Sequence, residues 1–93
     1  MLKSNLDFLR LKIDKVDEEI IDLLIKRMEI VAEIDKYKKS KNIPIDDKKR
    51  EDEKINSVRS LANLKSLNKD RTADIFKEII NMSKEYQRNK KWI

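Results

Sequence analysis

Apolar residues recur along the first forty positions at steps of three and four: Leu6, Leu9, Ile13, Val16, Ile20 and Leu23, then Ile30, Ile34 and Tyr37. That beat belongs to one face of an α-helix, and it predicts a single amphipathic helix over about residues 5–40. The segment KSKNIPI ends it. Asn42 tolerates a left-handed backbone, and Pro44 drives Ile43 out of the helical region. A second helix over about residues 47–64 puts Ile55, Val58 and Ala62 on one face, with Asp46 or Asp47 as its N-cap. The third starts near Asp70 and turns Phe76, Ile79, Ile80 and Tyr86 inward. No strand alternation, repeat or low-complexity run interrupts the pattern, and the absence of glycine suits continuous helices. The fold class expected is all-α, with one long N-terminal helix and two shorter ones.

Length gives this pattern a consequence. At ~1.5 Å per residue a 35-residue helix runs ~50 Å. A compact domain of 93 residues measures only ~30 Å across, so the first helix must overhang. An apolar stripe along an overhanging helix needs another chain to cover it. The expected assembly is a homodimer with the long helices paired, each chain forming a single domain over residues 1–93.

Charge changes the picture little. There are 23 Lys and Arg against 18 Asp and Glu, a net charge of +5. The signs alternate along the chain as they do on solvated helix faces, and aromatic residues are sparse, so nucleic acid is not the expected partner. A small anionic ligand suits a modest positive excess. The chain holds no Cys and no His, which excludes disulfides, thiol and imidazole catalysis and the usual zinc sites. No metal and no cofactor are expected. The opening MLKSNLDFLRLK lacks the apolar core of a signal peptide, and no apolar run approaches the ~20 residues of a membrane span. A soluble cytoplasmic protein without a membrane partner is the expectation.

Candidate chemistry lies where the stripes break. Between Leu23 and Ile30 the beat falls on Arg27, and Lys38 projects from nearly the same side three turns later. In the third helix the line Phe76, Ile80, Ser83, Gln87 ends on two polar residues. In the second, Glu51 shares a line with Ile55 and Val58, with Arg50 beside it in the first turn. Each has a plain structural explanation: a lone Arg on a seam fixes register or snorkels, Ser83 and Gln87 are ordinary helix residues, and Glu51 suits a helix start. Together they imply more. Unpartnered buried charges cost several kcal/mol each, and several bases converging with few acids point to an anion pocket rather than a metal site.

These residues resemble the all-helical chorismate mutases. The similarity runs from LDFLRLKIDKVDEEIIDLLIKR through EIDKYKKSKNIPIDDKKRE to IFKEIINMSKEYQ. It carries a Leu-Arg before an Ile-Asp repeat, an Arg closing the Leu-Leu segment, a Lys before the loop, Pro-x-x-Asp-x-x-Arg-Glu opening helix two and Ser-x-x-x-Gln in helix three. Arg10, Arg27, Lys38, Asp47, Arg50, Glu51, Ser83 and Gln87 occupy those places. The resemblance implies an intertwined three-helix homodimer whose two sites each take Arg10 from the other subunit. It also implies the pericyclic rearrangement of chorismate to prephenate in Phe and Tyr biosynthesis, which needs neither proton transfer nor nucleophile. By the same resemblance Lys38 and Gln87 donate to the ether oxygen of chorismate as it gains negative charge. Arg10 and Arg27 clamp the carboxylates with help from Ser83 and Arg50, while Glu51 accepts from the ring hydroxyl with Asp47 close by. Asp35 and Tyr37 depart from the smaller residues common in relatives, and the tail RNKKWI carries no signature. An isochorismate-pyruvate lyase of the same fold is the enzymatic alternative. A non-enzymatic helical dimer binding nucleic acid is the other; it would tolerate Arg27→Ala and Lys38→Ala.

Overall fold

In the computed structural model, which describes residues 4–89, three helices take up almost the whole chain. They are α1, Asn5–Ser40, α2, Lys48–Leu64, and α3, Lys69–Asn89, and no strand occurs among the described residues. The tail residues 90–93 lie outside that range.

Each helix start is set by a side-chain oxygen that accepts an otherwise unpaired backbone N–H. Ser4 Oγ accepts from Asp7 N at 3.2 Å and opens α1. Asp47, rather than its neighbour Asp46, caps α2, accepting from Arg50 N at 3.0 Å. α3 begins one residue before Asp70 because Asn68 caps it. Asn68 Oδ1 accepts from Arg71 N at 2.9 Å, and the Asn68 carbonyl accepts from Thr72 N and Oγ1 at 3.0 and 2.7 Å.

The first two helix ends share one device in a chain without glycine. Asn42 takes φ 57°, letting Ile43 N reach back to the Lys38 carbonyl at 2.8 Å and Asn42 N to that of Lys39 at 3.3 Å. Ser66 takes φ 61°, with Leu67 N on the Ala62 carbonyl at 2.9 Å and Ser66 N on that of Asn63 at 3.2 Å. Both are Schellman closures, in which the left-handed residue turns the chain sharply off the helix axis. The turn at Asn42 carries residues 41–47 back beside the end of α1.

α3 is the central element: α1 and α2 both pack on it and not on each other. Met28 and Val31 of α1 bury against Tyr86 of α3, with Ala32 and Met82 alongside. Ile55, Val58, Ala62 and Ala73 are the remaining buried apolar residues described. Phe76, Ile79 and Ile80 are half-buried. On α1 the buried face is not the one the apolar beat picked out. It holds Met28, Val31 and Asp35, whereas Leu9, Ile13, Val16, Ile20, Leu23, Ile30, Ile34 and Tyr37 all stay exposed, Leu23 at 65%. The chain measures 57 × 30 × 14 Å with a radius of gyration of 16.9 Å, against the ~12 Å of a compact domain this size. The overhang expected of α1 is present.

Candidate active site

A cleft of about 440 Å³ opens where the C-terminal half of α1, the first turns of α2 and the last turns of α3 meet. Its size falls within the ~300–1,000 Å³ usual for small-molecule sites. One wall is apolar, made by Ile30, Val31, Ile34, Ile45 and Ile80. The polar lining holds five bases, Arg27, Lys38, Arg50, Lys54 and Lys84, against two acids, Asp47 and Glu51, with Ser83 and Gln87 between them. An excess of three positive charges beside an apolar wall suits an anion carrying a hydrocarbon ring or chain.

The helices place these groups by simple periodicity. Arg27 and Lys38, eleven residues apart on α1, stand on one side of it, and Arg27 Nη1 donates to Ser83 Oγ of α3. Ser83 Oγ in turn lies 3.0 Å from the Ile79 carbonyl and is buried. The serine thereby fixes the guanidinium, and burial draws Arg27 below its ordinary pKa. An arginine still keeps its proton at any ordinary pH. Lys38 Nζ donates to the Ile45 carbonyl at 3.1 Å, so the Schellman turn at Asn42 supplies the acceptor that orients this ammonium. Two N–H bonds remain for a ligand.

Gln87 is buried at 7% exposure, and its Oε1 has no hydrogen-bond partner. Leaving such a group unsatisfied costs about 1–3 kcal/mol. An orphaned acceptor of this kind calls for a donor from a water or a ligand. Asp47 lines the cleft while serving as the α2 cap, one carboxylate oxygen already committed to Arg50 N. Glu51 pairs through Oε1 with Lys84 Nζ at 2.8 Å, and both side chains are half-buried.

Seven of the eight residues singled out in the sequence therefore line one cleft: Arg27, Lys38, Asp47, Arg50, Glu51, Ser83 and Gln87. Arg10 does not. It is exposed on the overhanging part of α1, seventeen residues before Arg27, which is ~26 Å along the axis. Lys54 and Lys84 line the cleft without having been singled out. Helical spacing carries the signal for both, since Lys54 follows Arg50 by one turn and Lys84 precedes Gln87 by one. Of the two departures, Asp35 is buried and ion-paired with Lys39 at 3.1 Å, and Tyr37 is exposed.

Fold and cleft together give an all-helical protein with a cleft whose lining suits a small organic anion. A family profile, chorismate mutase type II, matches residues 9–88, a span that contains all eight site candidates. The chain belongs to the chorismate mutase type II family. It is also 34% identical over 80 residues to a protein named T-protein from Enterobacter agglomerans, covering 86% of this chain and 21% of that relative. The chain thus spans about a fifth of the length of the curated relative it matches.

Proposed function

We propose that this chain catalyses the rearrangement of chorismate to prephenate, and that it does so as a homodimer in the cytoplasm. The observation that carries the reading is the convergence of Arg27, Lys38, Ser83 and the buried Gln87 on one cleft with an excess of positive charge. In this rearrangement a carbon–oxygen bond breaks ahead of carbon–carbon bond formation, and the ether oxygen gains negative charge. Lys38 and Gln87 are the donors proposed for that oxygen, and Lys38 is oriented by the Ile45 carbonyl before the substrate arrives. Arg27, held by Ser83, clamps one carboxylate, and Arg50 adds positive charge at the mouth. The clamps hold the substrate in its folded reacting shape, which removes much of the entropic barrier. Glu51 accepts from the ring hydroxyl, with Asp47 beside it. Arg10 of the partner subunit completes the carboxylate clamp, since within one chain it stands too far from the cleft.

Dimerisation is supported by the exposed stripe of α1 and by the slightness of the core. Seven apolar side chains are buried among the described residues, in a body only 14 Å thick. Such a core is too small to hold three helices against the entropy of ordering them.

The deciding experiment follows loss of chorismate by ultraviolet absorbance and identifies the product, with isochorismate run in parallel. Prephenate from chorismate is expected. Pyruvate from isochorismate with no prephenate would move the assignment to a lyase, and no turnover of either would remove the enzymatic reading.

A further inference from the structure

Beyond the residues that match the family, Lys84 stands in the cleft on different grounds. Its ammonium lies 2.8 Å from Glu51 Oε1 and 3.5 Å from Asp46 Oδ1, and Asp46 Oδ2 accepts from Arg88 Nη2 at 2.8 Å. The hydrogen bond to Glu51 is the main influence raising the Lys84 pKa above its ordinary value, so it stays charged through the neutral range. The pair is half-buried at 24% exposure for each side chain, where water screens it less than on an open surface.

Glu51 poses a problem for a pocket that binds an anion: its own charge repels the ligand. A carboxylate also offers two oxygens and rotates between them. Lys84 answers both difficulties, cancelling the charge and engaging Oε1 so that Oε2 is left for the cleft. We propose that Lys84 is the positioning residue for Glu51, making that carboxylate an acceptor for a substrate hydroxyl without cost to anion binding. The inference rests on the chorismate mutase reading of the cleft. A purely structural alternative is a strap, in which Lys84 and Arg88 tie residues 41–47 to α3 through Asp46.

Four proteins decide between them: wild type, Lys84→Met, Glu51→Gln and the double variant, assayed for kcat and KM on chorismate with circular dichroism on each. Lys84→Met keeps the apolar stem and is expected to raise KM about tenfold while kcat falls less. Lys84→Arg is expected to restore KM to within about twofold, since it preserves the charge. Glu51→Gln in the Lys84→Met background is expected to bring KM back toward that of Glu51→Gln alone, because the unpaired charge is gone. An undiminished effect of Lys84→Met in the Glu51→Gln background overturns the proposal, as does an unchanged KM in the single variant. Asp46→Asn separates the strap: if it reproduces the Lys84→Met loss, the strap is the explanation and the proposal fails. If Lys84→Met does not fold, Lys84→Gln carries the same comparisons. A wild type inactive on chorismate sinks the functional reading and this proposal together. An active wild type with an indifferent Lys84→Met sinks this proposal alone.

Discussion

At the scale of single residues the proposed chemistry depends on which groups donate. A neutral amide donates at any ordinary pH, whereas a glutamate in its place donates only when protonated. With Lys38 as the second donor and no histidine in the chain, wild-type kcat/KM is expected to stay nearly flat from mildly acidic to mildly alkaline pH. The Gln87→Glu variant is expected to lose activity near neutrality and recover it on acidification while circular dichroism shows the fold intact. A variant profile parallel to the wild type would detach Gln87 from the reacting oxygen. Arg27→Lys keeps the charge but loses the planar fork that Ser83 holds, and kcat/KM is expected to fall about ten- to a hundredfold. Near-normal turnover would make Arg27 a packing residue. Asp46 is a stability matter instead. The Arg88 hydrogen bond, followed by the charges of Arg88 and Lys84, holds its carboxyl below the ordinary value against an opposing desolvation effect. A depressed folded pKa stabilises the fold above the unfolded carboxylate range, and that contribution is lost as pH falls through the folded value. Thermal melts of wild type and Asp46→Asn should therefore converge as pH is lowered below the carboxylate range.

At the scale of elements, the two glycine-free closures differ in strain. Asparagine takes the left-handed region at small cost, but serine does not. Ser66→Gly is expected to raise the stability of the fold by about 0.5–1 kcal/mol, measured by urea titration, since glycine removes the Cβ conflict at φ 61°. No gain would mean that the flexibility glycine adds to the unfolded chain cancels it. Helix spans were legible because caps and apolar spacing agree. Asn42 beside Pro44 announces its turn, whereas nothing in ANLKSLNKD marks Ser66, whose backbone is imposed by Leu67 closing on Ala62. The buried face of α1 was harder to read. Its strongest apolar line is exposed, and the weaker line, Met28 and Val31 with the charged Asp35, is the one α3 covers. Periodicity locates faces without saying which neighbour each will meet. In the site, spacing from Gln87 puts Lys84 on the cleft side, but its pairing with Glu51 was hidden, since a lysine on a solvated helix and one so paired leave identical traces in a sequence.

At the scale of the whole molecule, the slight burial within one chain makes dilution the sharpest probe of the proposed dimer. Sedimentation is expected to show a dimer, with loss of helix signal and activity accompanying dissociation. A compact, active monomer would reject shared assembly. Refolding Arg10→Ala together with Lys38→Ala chains is expected to recover part of the activity, because one of the two mixed sites escapes both lesions. Verified heterodimers without recovery would place Arg10 outside the site. The order of the helices also bears on how the chain is made. α1 packs only on α3, which is synthesised after it. Synthesis at ~5–20 residues per second finishes α1 seconds before Tyr86 exists to receive Met28 and Val31. For those seconds Met28 and Val31 are bare, and the stronger apolar stripe of α1, which α3 leaves exposed even once packed, stays open until the proposed dimer covers it.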